Sequence, residues 1–204
     1  LSNIGAFGLI IPENYGGVGA DYISFGLMMQ ELEKGDSSIR VISSIQTSLV
    51  MYAIYKFGSE QQRAKYLPKL ATGEMLGAFG LTEPDFGSNP SSMHSYYKED
   101  GDNIVINGSK MWIGNAETAD IAIIWIKDES AQVRGVIIET KNITNFTTTT
   151  LKDKWSFRSS KTGELVFSDS VVSKDQVLAK STSIQNAYAV SYTHLTLPTN
   201  GEVG

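Results

Sequence analysis

Gly80-Leu-Thr-Glu-Pro-Asp-Phe-Gly-Ser88 is the stretch on which the reading of this chain turns. Residues 76–81 read as a strand feeding a polar turn, so the backbone around Leu81 and Thr82 can pair with the edge of a planar, hydrogen-bonding ring, and Thr82 adds a hydroxyl. Past Pro84, the Gly87-Ser88 step should let main-chain N–H groups approach a diphosphate, because glycine takes backbone angles that other residues resist. Further on, Met111-Trp-Ile-Gly-Asn115 offers in Trp112 a broad apolar face with one N–H donor, suited to covering a flat ring. Taken singly, the first segment also reads as a surface turn and Trp112 as a core residue.

Outward from these segments the hydrophobic period divides the chain near residues 72–73. Before that point it is helical. Asp21 can cap a helix ending at Gly35, with Ile23, Leu27, Met28 and Leu32 on one buried face. A second helix starts at Asp36 or Ser37, buries Ile42, Ile45, Leu49, Ala53, Ile54 and Phe57, and ends at Gly58. Ser59 and Gln62 then form a capping box for a third helix, which Pro68 should stop. After Gly73 the period is 2, and strands are expected at 76–82, 93–99, 103–107, 109–114, 120–127, 133–140, 146–151 and 162–168. Asp100-Gly101 and Asn107-Gly108 are hairpin signals between them. The apolar run Ile121-Ala-Ile-Ile-Trp-Ile126 should cross the interior.

The expected fold class is therefore α+β, an N-terminal α-helical half-bundle followed by an antiparallel β-barrel or sandwich. The expected divisions are a partial helical domain at 1–73, a β-domain at 74–180, and at 181–204 a further helix running into a tail that breaks pattern from Ser191.

Composition removes several function classes. The chain has 204 residues, 41% hydrophobic and 19% charged, with a net charge of -5 and scattered basic residues, which argues against a nucleic-acid surface. There is no cysteine, so disulfides, thiolate chemistry and Cys-based zinc sites are out. Only His94 and His194 are available, and no metal site is expected. No ~20-residue apolar span and no secretory start are visible, so the expected location is cytoplasmic, away from membranes.

In order and spacing, the two quoted segments resemble the signatures of the acyl-CoA dehydrogenase family, Leu-Thr-Glu-Pro-x-x-Gly-Ser-Asp and Trp-Ile-Thr-Asn. The likeness extends through Gly8-Leu-Ile-Ile-Pro-Glu-Asn-Tyr-Gly-Gly17, Phe57-Gly-Ser-Glu-Gln-Gln-Arg-Ala-Lys-Tyr-Leu-Pro68, Leu165-Val-Phe-Ser-Asp169 and Val177-Leu178. Pro90-Ser-Ser-Met93, Arg134-Gly135 and Lys154-Trp-Ser-Phe-Arg158 look most like the glutaryl-CoA dehydrogenase branch.

The resemblance implies FAD as cofactor and α,β-dehydrogenation of an acyl-CoA, with a base taking the α-proton while the β-hydrogen leaves as hydride. It implies flavin contacts at Phe79, Gly80, Leu81, Thr82, Gly87, Ser88, Trp112, Ile113 and Gly114, and substrate contacts at Arg40, Val41, Ser44 and Ser88. Arg40 and Ser44, one turn apart, would meet a distal substrate carboxylate. The family's catalytic glutamate belongs to a C-terminal bundle absent from this sequence, so no catalytic residue is assigned here. Electron-transfer flavoprotein is the implied acceptor and a homotetramer the implied state of the intact protein. Gly114 stands where the family has Thr or Ser, Asn89 replaces Asp, and Phe86 is bulky where a small residue is common. Three readings stay open: a dehydrogenase with or without decarboxylation, an oxidase that passes electrons to oxygen, and a non-catalytic remnant that binds flavin or CoA ester.

Overall fold

The computed structural model describes residues 1–195. Its N-terminal part is built on capped helices. Asp21 accepts from Ser24 N at 2.7 Å and starts α1 (Tyr22–Gly35), and Asp36 accepts from Ser38 N at 2.6 Å and starts α2 (Ser37–Ser44). The second helix winds without a break through a π-helical stretch, Ile45–Met51, into α3 (Tyr52–Phe57). Both halves of the Ser59/Gln62 capping box form at the head of α4 (Glu60–Ala71).

Two helical expectations need correcting. Pro68 does not stop α4, which runs on to Ala71. Proline removes only its own N–H; Pro68 O still accepts from Thr72 N, and the fully buried Leu67 and Leu70 hold the last turn in the core. The stripe expected to be buried on α1 is not, since Ile23 is 74% exposed and Leu27 59%, leaving Phe25 as the helix's buried residue. Among the described residues no element covers that face.

The β-part is a curled, mixed sheet. Its strands are β1 (Gly77–Gly80), β2 (Tyr96–Asp100), β3 (Asn103–Ile113), β4 (Ile121–Lys127), β5 (Val133–Glu139), β6 (Phe146–Thr150) and β7 (Gly163–Ser173). They lie in the order β1-β4-β2-β3-β7-β6, with β5 also paired to β4. Most pairings are antiparallel as expected, but β1 runs parallel to β4 from Gly77↔Ile121 to Gly80↔Ile124, and β2 meets β4 in parallel at Tyr96↔Lys127.

Asp100 and Asn103 close the foreseen hairpin across Gly101. Asn107-Gly108 is not a hairpin turn: it lies inside β3, where the register to β7 slips by one residue between Ile106↔Ser170 and Gly108↔Phe167. The extra residue is Asp169, at φ 55, and the Asn107 and Asp169 groups seal the bulge with hydrogen bonds of 2.9 and 3.0 Å. Glycine is required at 108, since a Cβ there would stand 2.2 Å from Ser95 Oγ at φ 136.

The apolar run in β4 is explained by its two buried faces. Ile121, Ile123 and Trp125 join the helix-facing core with Met51, Ile54, Leu67 and Leu70. Ala122, Ile124 and Ile126 point into the curl of the sheet with Ile104, Ile106, Leu165 and Phe167. A strand covered on both sides reads as a continuous apolar run. The last helix, α5 (Ile184–Leu195), buries Ala187 and Val190 in the helix-facing core. Residues 196–204 of the pattern-breaking tail lie outside the described residues.

Candidate functional site

Backbone pairing brings the two quoted segments together. At the C-terminal end of β1 the chain leaves the sheet at Leu81 and Thr82, and Thr82 O accepts from Met111 N at 2.9 Å. One residue later β3 carries a second irregularity, between Lys110↔Leu165 and Ile113↔Gly163. The bulge throws Trp112 outward, at φ 64 and 62% exposed. Left-handed backbone is unusual for a bulky residue and marks a site where the surroundings over-determine the conformation.

The result is a concavity of about 220 Å³ lined by Ile45, Leu49, Phe79, Leu81, Thr82, Trp112, Ile113, Gly114 and Ser191. Six of the nine expected flavin contacts lie on it: Phe79, Leu81, Thr82, Trp112, Ile113 and Gly114. Gly80 is buried beneath, where a Cβ would stand 3.1 Å from Ile124 Cγ2 and 3.2 Å from Lys110 Cγ. Gly87 and Ser88 are exposed on the bend and outside this lining. Gly87 does not use the positive φ that glycine allows, and a Cβ there would meet no protein atom within 4 Å.

The expected substrate contacts Arg40, Val41 and Ser44 are not on this lining. Arg40 Nε donates to Glu33 Oε2 at 2.5 Å, and its guanidinium lies 6.0 Å from the Phe157 ring centre. Glu33 also accepts from Ser37 Oγ, and the Arg40 hydrogen bond above all holds its carboxyl below the usual range. Ser44 is buried with its hydroxyl donating to Val41 O at 3.0 Å, and Val41 packs against the helix-facing core. Arg40 and Ser44 lie on adjacent turns of the helix, with Glu33 beside Arg40.

Several residues that shape the site were missed by sequence reasoning. Ile45 and Leu49 come from the π-helical stretch, a winding found often at functional sites. Gln46, on the same stretch, is a full bracket: Nε2 donates to Leu70 O and Met75 O at 2.9 and 2.8 Å, and Oε1 accepts from Gly77 N at 2.8 Å. Asn115 Nδ2 donates to Gly77 O at 3.0 Å, so the second segment grips the root of β1. Below the cavity, Lys110 is fully buried with Nζ 2.8 Å from Glu83 Oε1. Burial pushes the Lys110 ammonium down to about 8. Burial raises the Glu83 carboxyl too, but the nearby Lys110 charge and hydrogen bonds outweigh it and hold it below the usual value. Alternation along β3 carried a signal, because Lys110 continues the inward series of Ile104, Ile106 and Gly108.

No group of three or more His, Asp or Glu that could hold a metal occurs among the described residues, and no described helix is long and apolar enough to cross a membrane.

Comparison with known proteins gives a consistent answer. A family model described as the acyl-CoA dehydrogenase N-terminal domain matches residues 1–74, and one described as the acyl-CoA dehydrogenase middle domain matches 78–170. The chain is 38% identical over 186 residues to a glutaryl-CoA dehydrogenase of Desulfococcus multivorans, covering 88% of this chain and 48% of that protein. It superposes with TM-score 0.91 and 38% identity on a Mycobacterium smegmatis glutaryl-CoA dehydrogenase in complex with FADH2, covering 95% of this chain and 49% of that one. A structure described as the electron transferring flavoprotein of Acidaminococcus fermentans matches with TM-score 0.86 and 33% identity, covering 95% of this chain and 51% of that one. The chain spans about half the length of the relatives it matches.

Proposed function

The chain belongs to the acyl-CoA dehydrogenase family, and on that premise we propose that it forms the flavin-facing part of an FAD-dependent dehydrogenase for an acyl-CoA of the glutaryl-CoA type. The observation that carries the reading is the shared concavity: Thr82 and Trp112, thirty residues apart, line one cavity with Phe79, Ile113 and Gly114. The residues present fit a flavin ring. Thr82 Oγ1 has no protein partner among the described residues, the Trp112 face is open, and the floor is apolar, which suits a flat ring with a polar edge. At about 220 Å³ the concavity is below the roughly 300–1,000 Å³ of whole-ligand sites. It would therefore hold only part of the ring.

FAD supplies a two-electron acceptor for the hydride leaving the substrate β-carbon. The chain's own residues orient and shield. Thr82 would meet the ring's polar edge, Trp112 would cover a face and exclude water, and the exposed Gly87-Ser88 bend is where the phosphate bridge and substrate would pass. Residues 1–73 would serve as the helical flank of the site, 74–180 as its β-wall, and α5 as the start of a further helical part.

The described residues that line the cavity include no carboxylate and no histidine, so that lining offers no base for the α-proton. That favours a second reading of the isolated chain as a binder without turnover. An electron-transfer flavoprotein is kept as the acceptor of the intact enzyme, in line with the match to a structure described as an electron transferring flavoprotein.

Titration of the 204-residue chain with FAD tests the proposal. Saturable, weak binding is expected, and Trp112→Ala should weaken it about tenfold or more, since stacking on an aromatic face contributes roughly 1–3 kcal/mol. Absence of saturable binding, or equal binding by Trp112→Ala, would reject it.

A further inference from the structure

We infer that Lys110 is a positioning residue: through its buried ion pair with Glu83 it fixes the bend from Leu81 to Ser95 and aims the Thr82 amide into the cavity. The inference rests on the flavin reading only for what the aimed amide meets.

One ammonium gathers both arms of the bend. Lys110 Nζ donates to Glu83 Oε1 at 2.8 Å and to Leu81 O at 3.2 Å on the outgoing arm, and lies 3.8 Å from Met93 Sδ on the returning arm. Glu83 extends the grip, its Oε2 accepting from His94 N at 2.6 Å and its Oε1 from Ser95 N at 3.0 Å. The thirteen or so residues between the arms contain Gly87 and Ser88 and are otherwise joined by short turn contacts such as Phe86 N to Glu83 O.

Peptide geometry turns this grip into an orientation. In a trans peptide the C=O of one residue and the N–H of the next point in opposite directions. Lys110 Nζ holds Leu81 O, so Thr82 N–H is turned away from that ammonium and, on this proposal, faces the concavity that Thr82 lines. That N–H has no protein acceptor among the described residues.

Stability alone does not account for a lysine here. Ion pairs this deeply buried contribute little net stability, and an apolar pair of similar volume often serves as well. The fold nevertheless keeps room for the lysine stem: a Cβ at Gly80 would stand 3.2 Å from Lys110 Cγ and 3.4 Å from its Cβ. What an apolar pair would lose is the hold on Leu81 O, His94 N and Ser95 N.

Residue-resolved amide exchange and 15N–1H spectra of the 204-residue chain, with Lys110→Met and Glu83→Gln, test the assignment. In Lys110→Met the His94 and Ser95 amides should exchange at least tenfold faster and the Thr82 amide resonance should move, while Ile123 and Ile137 in the β4–β5 ladder stay within threefold of wild type. Glu83→Gln keeps one carboxamide oxygen, so one of the His94 and Ser95 amides should keep its protection and the other lose it. Should Lys110→Met fail to fold, Glu83→Gln decides alone. Wild-type protection of both amides in the folded variants, or losses matched in β4–β5, would overturn the inference. Parallel FAD titrations should show at least a tenfold weaker affinity in Lys110→Met. A wild-type chain that binds no FAD would reject the flavin proposal and leave the exchange comparison to decide on Lys110.

Discussion

An ideal Cβ at Gly114 would stand 2.4 Å from Ile45 Cδ1, so the space that a side chain at 114 would need is already filled by an isoleucine from the π-helical stretch. The obstacle is the tip of a side chain and not backbone. Gly114→Ala should therefore destabilise the chain by about 1–3 kcal/mol, the usual range for overpacking, and Ile45→Ala should relieve much of that penalty in the double variant. Urea denaturation of the four proteins checks this through the coupling energy; strictly additive effects would show that the two residues do not compete for space. The departure at 114 was visible in sequence, but its counterpart was not, because Ile45 and Gly114 are 69 positions apart and no local pattern pairs them. The same holds for Arg40, whose helical spacing was legible while its ion pair with Glu33, seven residues earlier and on another helix, was not.

At the scale of elements, α4 and the sheet are fastened by polar groups whose charge depends on pH. Glu139 on β5 lies 2.7 Å from Lys65 Nζ and 2.7 Å from the Tyr66 hydroxyl, both on α4, and also accepts from Asn142 Nδ2 at 2.8 Å. The Lys65 hydrogen bond above all holds the Glu139 carboxyl at about 2, and Lys65 is in turn raised above its ordinary value. A carboxyl whose folded value lies below its unfolded one stabilises the fold above the unfolded value, ordinarily 4.5, and loses that contribution as pH falls toward 2. Melting temperature against pH should then drop between about pH 4.5 and 2 in the wild type, and Glu139→Gln should flatten that limb; an unchanged acid limb would exclude the clasp as its source. A second fastening, at Gln46, is independent of pH. Gln46→Leu strands Met75 O and Gly77 N, while Leu70 O keeps its bond from Gly73 N; because each buried group left unpaired costs about 1–3 kcal/mol, the loss in urea should exceed about 2 kcal/mol. Element type and order were legible here from period and caps. Boundaries were not where tertiary contacts intervened: buried Leu67 and Leu70 carried α4 past Pro68, and the Asn107–Asp169 bonds turned a hairpin signal into a bulge.

For the whole molecule, the change of period near residue 73 suggests two domains, but the core does not divide there. Trp125 on β4 packs edge-on against Phe57 of α3, with ring centres 6.2 Å apart, and tilted against Phe79 of β1 at 6.4 Å. The other face of the same strand fills the curl of the sheet with Ala122, Ile124 and Ile126. Neither part can open without exposing a face of β4, the strand whose parallel pairing with β1 seats the first quoted segment. This coupling was hidden from a sequence reading, since periodicity reports which residues are inward but not which strand lies beside which. It follows that the helices and the sheet should unfold together: far-UV circular dichroism, dominated by the helices, and exchange of β3–β7 amides should give one coincident urea transition. Trp125→Ala, a large-to-small change costing about 3–5 kcal/mol, should move both signals by the same amount. Two separated transitions, or a shift confined to the helical signal, would mean that the sheet holds its shape without the helices and that the Thr82–Trp112 concavity owes nothing to them.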